Sequence, residues 1–287
     1  MAHPKMIKLP RIGTVFGVDF SGAAQSGKTA WLAELRADGK KELELIRFGP
    51  IGRFAGADDR EIVCKYLVNE IQASTNSLWG CDFPFGLPIE LGLGTWPKQL
   101  RHVRQFSGTA QQYGRELVAI TRQKTGQMHV RRDTDRETKT PFDCYHYRII
   151  HQTVHGMNQV LLPLSGDKST AVLPFHYRRS GTPRRVVVEA CPSSTLKRLE
   201  LPHMRYKQSG GKPPNETHLK TRKKIMRGIR DIVSVSAYQR RVIMSDSGGD
   251  ALDAVLAGIG AWNAFRKDDH EAIAKHKRYP IEGRVYC

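Results

Sequence analysis

The 287-residue chain carries 46 lysines and arginines against 28 aspartates and glutamates, a formal net charge of +18, and 39% of its residues are hydrophobic. This hydrophobic share indicates a folded globular protein and excludes a disordered chain. There is no apolar run of the roughly 20 residues that a membrane span needs, no secretory signal in the N-terminal MAHPKMIKLPRIG, and no CxxC pair among the five cysteines. We therefore expect a cytoplasmic protein with no membrane partner, no zinc ribbon and no disulfide framework.

The positive charge is concentrated in two segments. Residues 97–149 hold 11 basic and 5 acidic side chains, and residues 197–230 hold 11 basic and 2 acidic ones. Surfaces of this kind attract polyanions, and nucleic acid is the commonest polyanion in a cell. We therefore expect DNA or RNA, bound through its backbone, as the partner, and we find no sign of an obligatory protein partner. A basic face that serves only solubility is the alternative.

The first half of the chain predicts strands with one helix between them. Residues 14–22, TVFGVDFSG, read as a strand that runs into a glycine-rich turn. Residues 29–40 fit either a helix or a second strand, and residues 41–50 alternate as a strand does. An amphipathic helix is predicted at residues 57–72, and a short buried strand at residues 77–88, SLWGCDFPFGLP.

The second half begins with a polar, basic and mostly helical region, residues 97–162. The clearest strand of the chain follows at residues 184–192, RRVVVEACP, whose run of valines suits a strand covered on both faces. Further helices are predicted at residues 193–199, 216–233, 237–244 and 250–265. This order of elements predicts an α/β sheet with an antiparallel section at one end.

The segment from Gly22 to Thr29, GAAQSGKT, fits the phosphate-loop pattern GxxxxGK[ST]. A working phosphate loop follows a strand and opens a helix whose N-terminal amides hold the phosphate. Asp19 lies three residues before Gly22, where a carboxylate would repel a polyphosphate, and the pattern also fits a hairpin turn. A nucleotide-binding phosphotransferase, with a phosphate loop or with an actin-like GVDFSG turn, remains an alternative function.

Acidic residues end three apolar strands, as Asp19 in VFGVD, Asp82 in LWGCD and Glu189 in VVVE. Asp250 and Asp253 lie three residues apart at the start of an apolar helix and therefore share one of its faces. Strand ends in a parallel sheet converge on one edge, where divalent cations make neighbouring carboxylates tolerable. Two Mg²⁺ or Mn²⁺ ions can there activate a water molecule for phosphodiester hydrolysis. The predicted catalytic residues and metal ligands are Asp19, Asp82, Glu189 and Asp253, with Asp250 as a further metal ligand.

Each acid also has a structural explanation. Asp19 can accept from turn amides, and Asp82 can cap the turn that follows it. Glu189 can pair with an arginine, and Asp250 can cap the helix that it begins.

Four blocks of the sequence resemble the domain-of-unknown-function family 429, whose members are described as predicted nucleases of the ribonuclease H-like fold. The blocks are GVDFSGA, WGCDFPFGLP, VVVEACPSSTLKRLELP with the YKQ after it, and DALDAVLAGIGAW with YPIEGRVY. The resemblance implies an α/β domain over residues 1–287 with a ribonuclease H-like mixed five-stranded sheet, in which strands one to three are antiparallel and the others parallel. Helices would flank this sheet, and a basic helical insertion would occupy residues 97–180. TAWLAELR then becomes the second strand, and GxxxxGKT becomes a hairpin.

The acids of the family pattern fall on the same positions, and two cations resemble it as well, Lys207 in YKQ and Arg222 in KTRKKI. The resemblance therefore implies phosphate binding by Lys207 and Arg222, although a basic surface helix explains Arg222 equally well. Lys223 and Lys224, on the same basic helix, are predicted to bind the nucleic-acid backbone. The expected function is a divalent-metal-dependent nuclease with two ions. A nucleic-acid-binding protein without catalytic activity, on an inherited fold, is the further alternative.

Overall fold

The computed structural model describes residues 7–36, 43–208 and 210–287. Within these residues the chain forms seven strands, β1 Thr14–Asp19, β2 Trp31–Arg36, β3 Leu43–Pro50, β4 Ser77–Asp82, β5 Thr170–Val172, β6 Arg185–Glu189 and β7 Val233–Ser234. They make one sheet in the order β5-β6-β4-β1-β2-β3-β7. The pairs β1–β2 and β2–β3 are antiparallel, and all other pairs are parallel.

The α/β class and the antiparallel section at strands one to three are confirmed. The segment that fitted either a helix or a strand is strand β2, and residues 37–42, which belong to the second and third predicted segments, lie outside the described residues. The expected count of five strands is wrong. Two short strands, β5 and β7, extend the edges of the five longer ones, and β7 adds only two residue pairs to β3.

Helices lie on both faces of the sheet. Those of the described residues are α1 Ile51–Ala55, α2 Arg60–Ala73, α3 Trp96–Gln105, α4 Ala110–Thr125, α5 Asp133–Glu137, α6 Ile150–His155, α7 Leu162–Ser165, α8 Pro192–Arg198, α9 Glu216–Gly228, α10 Ala237–Ser245, α11 Asp250–Lys267, α12 His270–Lys275 and α13 Tyr279–Glu282. A π-helical stretch, Gly156–Leu161, joins α6 to α7. No helix in these parts of the chain has the length and hydrophobicity that crossing a membrane requires.

The sheet separates two hydrophobic layers because neighbouring residues of a strand point to opposite faces. Val15 and Leu78 pack in the layer that contains α11. Phe16 and Trp79, one residue further along their strands, stack on each other in the opposite layer, with ring centroids 3.9 Å apart. Helices α3, α4 and α6 and the π-helical stretch, all within residues 96–161, cover this second face.

Glycines in β1 and β4 allow α11 to lie directly on the sheet. A Cβ atom at Gly17 would come within 1.9 Å of the Ala254 carbonyl oxygen, and one at Gly80 within 2.6 Å of the Ala261 Cβ. Gly17 and Gly80 are register partners, so they form one shallow groove across the two strands. The first turn of α11 is thereby brought to the ends of β1 and β4.

Candidate functional site

Three aspartates meet where α11 crosses the ends of the two central parallel strands. Asp19 ends β1, its register partner Asp82 ends β4, and Asp253 lies in the first turn of α11. Each offers a carboxylate oxygen, and these three oxygens lie within 4.8 Å of one another. Asp19 and Asp253 are 6% and 1% exposed, and Asp82 is half-buried. We call these residues the acidic cluster; three carboxylates at this spacing could hold a metal ion.

The protein environment disfavours the bare charges of these carboxylates. Burial, with repulsion from Asp253, raises the pKa of Asp82 to about 8. Burial also raises the pKa of Asp19 well above its usual range, against the opposing attraction of Lys207. Burial also raises the pKa of Asp250, in the same turn of α11 as Asp253, to about 6. A divalent cation would relieve the same desolvation and repulsion that now favour protons, so the donor set fits a hard, oxygen-preferring metal.

The loop after α8 supplies two partners to Asp253. The Tyr206 hydroxyl donates to Asp253 Oδ1 at 2.8 Å, and the Lys207 ammonium forms an ion pair with Asp253 Oδ2. Burial opposes the charge on Lys207, but Asp253 and Asp19 outweigh it and raise the pKa of the ammonium well above its usual range. The Lys207 side chain is 47% exposed, so this cation lies both beside the acids and in contact with solvent. The sequence had singled out Lys207; it gave no role to Tyr206.

The prediction that Arg222 binds phosphate is corrected by the structure. Arg222 is 0% exposed and belongs to the buried stripe of α9 with Ile225 and Met226. Its Nε donates to the Tyr206 carbonyl at 2.7 Å. Its other guanidinium nitrogens donate to the carbonyls of Ile243, Met244, Asp246 and Ser247. Arg222 therefore holds the Tyr206 loop against the turn before α11, while its neighbours Lys223 and Lys224 are exposed on α9.

Glu189 is not brought into the acidic cluster, although it also ends a central strand. In the parallel pair β4–β6, its register partner is Cys81 and not Asp82. Cys81 and Val187 lie in the hydrophobic layer opposite α11, so the Glu189 side chain points to that face. The prediction of Glu189 as a metal ligand beside the aspartates is therefore not met by the geometry.

A buried arginine occupies both carboxylate oxygens of Glu189. Arg132 Nη1 donates to Glu189 Oε2 at 2.8 Å and Nη2 donates to Oε1 at 2.5 Å. Nε and Nη2 of Arg132 also donate to Asp135, and the Phe85 amide donates to Glu189 at 2.9 Å. Arg132 is 1% exposed and Glu189 is 3% exposed. The alternative that Glu189 pairs with an arginine is therefore confirmed. Arg132 precedes Glu189 by 57 residues, in the helical region between β4 and β5, and no local pattern in the sequence identified it as the partner.

The acidic cluster and the Arg132–Glu189 pair line one pocket of about 400 Å³ at the end of the sheet. Its remaining lining is largely apolar and includes Phe83, Pro84, Phe142 and Met204. Such a pocket combines a few convergent charged groups with apolar walls, as small-molecule and catalytic sites commonly do.

The GxxxxGKT match lies in a hairpin. Gly22–Thr29 connects the antiparallel strands β1 and β2, contains one short 3₁₀ turn at Ser26–Lys28, and is followed by β2 after a single residue. Lys28 pairs with Asp58 at 3.6 Å. Because a strand and not a helix follows Thr29, the segment lacks the helix N-terminus that a phosphate loop requires.

Comparisons of the chain with protein-family models, with curated proteins and with solved structures gave no match.

Proposed function

We propose that this protein is a divalent-metal-dependent nuclease of ribonuclease H-like fold that hydrolyses phosphodiester bonds in nucleic acid. The observation that carries the proposal is the acidic cluster, in which three carboxylate oxygens from β1, β4 and α11 lie within 4.8 Å of one another. The mixed sheet, antiparallel over strands one to three and otherwise parallel, agrees with what the family resemblance implies.

Asp19, Asp82 and Asp253 would hold the first metal ion, with Mg²⁺ or Mn²⁺ preferred by the all-oxygen donor set. Asp250, three residues before Asp253 at the start of α11, would be a ligand of a second ion. When bound, such ions supply activation of a water molecule and stabilisation of the leaving oxygen.

Residues of the chain itself would orient the substrate. Lys207 lies beside Asp253 with 47% of its side chain exposed, so its ammonium can reach both the acidic cluster and a phosphate oxygen in the pocket. Tyr206, fixed by Arg222, holds Asp253 in place through its hydroxyl. The apolar pocket wall strengthens these interactions by excluding water.

Basic surfaces outside the acidic cluster would bind the nucleic-acid backbone. Residues 97–149 and 197–230 carry most of the surplus positive charge, and Lys223 and Lys224 are exposed on α9. Contacts of this kind position a substrate without reading its sequence.

The test is cleavage of labelled single-stranded and duplex DNA and RNA with Mg²⁺, with Mn²⁺ and with a chelator. We expect metal-dependent cleavage that falls about a thousandfold in Asp82→Asn, since one of the three ligands is lost; this corresponds to roughly 4 kcal/mol of activation free energy. Asp231→Asn is the matched control, because the Asp231 side chain is 83% exposed and lies outside the pocket. Cleavage that persists in Asp82→Asn or in the chelator contradicts the proposal.

A nucleic-acid-binding protein without catalytic activity predicts a different result in the same assay. It would bind the substrates in a salt-sensitive manner and cleave none of them with either metal.

A further inference from the structure

Three adjacent rings lie between α5 and α6, running from the half-buried Phe142 at the pocket to the exposed Tyr147. Phe142 lines the pocket, and Tyr147 is 70% exposed, more than any other large hydrophobic side chain of the described residues. His146 lies between them, with its ring centroid 4.6 Å from that of Phe142 and 4.5 Å from that of Tyr147. The Phe142 and His146 rings are stacked, with an interplanar angle of 21°. We call Phe142, His146 and Tyr147 the aromatic platform.

Buried residues between Phe142 and His146 fix the backbone that carries the platform. Tyr145 is 1% exposed, and its hydroxyl accepts from the Val130 amide at 2.6 Å. The Thr153 hydroxyl donates to the Cys144 carbonyl at 2.5 Å, and the Tyr145 amide donates to Asp143 Oδ1 at 3.2 Å. The three consecutive buried residues Asp143, Cys144 and Tyr145 therefore hold this segment in place, while Tyr147 remains in solvent. A preformed surface of this kind loses little conformational entropy when a ligand binds.

Arg148 adds positive charge to the platform. Its guanidinium lies 5.7 Å from the Phe142 ring centroid and 5.8 Å from the Tyr147 ring centroid. Its Nε donates to the Tyr147 hydroxyl at 3.2 Å. The exposed Tyr147 ring next to an arginine matches the two chemical parts of a nucleotide, since bases stack on aromatic faces and phosphates pair with guanidinium groups.

We infer that the aromatic platform is a stacking site for unpaired bases, so that the protein takes single-stranded nucleic acid and leads it to the pocket over Phe142. The inference rests on the proposed function for the role of the pocket, but the binding site itself does not depend on cleavage. Single strands are favoured over duplexes because a base in a duplex already has both its faces covered by its neighbours. The occupant is a polyanion because the platform lies in a segment, residues 97–149, with 11 basic and 5 acidic side chains.

The experiment measures the affinity of the full chain for a fluorescent 20-nucleotide single strand and for the corresponding duplex, by anisotropy at fixed salt without added metal. All proteins carry Asp82→Asn, so that binding is measured without cleavage. Tyr147→Ala should weaken single-strand binding about tenfold, as loss of one stacked base predicts, and leave duplex binding unchanged. Tyr147→Trp, which keeps an aromatic ring, should retain the affinity.

Tyr238→Ala is the matched control, because Tyr238 is 59% exposed on α10, away from the pocket, and should change neither affinity. The inference is overturned if Tyr147→Ala binds the single strand as tightly as the control, which is also the result expected if the platform serves a protein partner. It is overturned as well if single-strand and duplex affinities fall together. If single-strand binding depends on Tyr147 but the parent chain, which retains Asp82, cleaves no substrate, the inference about the platform holds and the proposed nuclease function is wrong.

Discussion

The two faces of the sheet each carry a charged site, and the acids of the two sites differ in how they are paired with cations. On the face covered by α11, the three carboxylates of the acidic cluster share one cation, Lys207, which is half exposed. On the opposite face, Glu189 has both oxygens paired with the buried Arg132. The two sites lie at the same end of the central strands. Asp19 is in register with Asp82, whereas Glu189 is in register with Cys81, one residue earlier.

The difference shows when a buried acid indicates a ligand site. A buried carboxylate needs a counter-charge, and the protein supplies a complete one for Glu189. For the acidic cluster it supplies one half-exposed ammonium, that of Lys207, for three carboxylates. Only the second arrangement leaves a reason to bind a divalent cation.

The largest expected effect comes from removing the cation of the structural site. Arg132→Met should lower the free energy of unfolding by about 3–5 kcal/mol, because it leaves Glu189 and Asp135 buried without a partner. Lys207→Met should change it by no more than about 1 kcal/mol, because this ion pair is partly solvated. Urea denaturation of the metal-free proteins measures both changes in the free energy of unfolding. Equal losses in Arg132→Met and Lys207→Met would contradict the distinction between the two sites.

Metal affinity sharpens the comparison from the other side. Asp19→Asn should weaken Mn²⁺ binding at least a hundredfold, or about 2.7 kcal/mol, since it removes a ligand of the acidic cluster. Glu189→Gln should retain the affinity within about threefold, because Glu189 faces the opposite layer. Isothermal titration calorimetry gives both values. A large loss in Glu189→Gln would show that Glu189 leaves Arg132 to bind the metal.

The close approach of α11 provides a third test. Gly17→Ala should cost about 1–3 kcal/mol and weaken Mn²⁺ binding, because the new Cβ displaces the helix that carries Asp253. Gly13→Ala is the matched control, since a Cβ at Gly13 meets no atom within 4 Å. If both variants bind Mn²⁺ equally well, the contact of α11 with β1 does not position the site.

The smallest effect is in the pH dependence of stability. Asp19, Asp82 and Asp250 have raised pKa values, so the folded state binds their protons more tightly than the unfolded state, in which the pKa is about 3.9. Their contribution to the free energy of unfolding is complete below about pH 4. It is lost as the pH rises through about 6 for Asp250 and about 8 for Asp82. In a chelator, the melting temperature of the parent chain should therefore fall between about pH 5 and about pH 8.5. The fall in Asp82→Asn over the same range should be smaller by several degrees.

His155 and His176 act in the opposite sense in the parent chain, because burial lowers their pKa values. The comparison of the two proteins cancels their contribution. Parallel curves for the parent chain and Asp82→Asn would show that Asp82 is not protonated in the folded state.

The sequence by itself located most of the longer elements and the position of the acids along them. Alternation and valine runs located β1, β4 and β6, and VFGVD and LWGCD placed an acid at the end of each of the first two. Both strands also carry glycine two residues before the aspartate, which is a local signal that these two acids share a face under a closely packed helix. The burial of Arg222 was not predicted, although this residue takes the place of an apolar side chain in the stripe of α9.

Only the tertiary structure decided which acids meet. The end of VVVE looks like the other strand ends, and the face on which Glu189 lies depends on the register of β6 against β4, which is set by pairing and not by local sequence. The partner of Glu189 comes from the helical region between β4 and β5, 57 residues away. Local propensity acts over a few residues, whereas a metal site and an ion pair require side chains from distant segments at distances of a few ångströms, and those distances exist only once the sheet, α11 and the insertion have packed together.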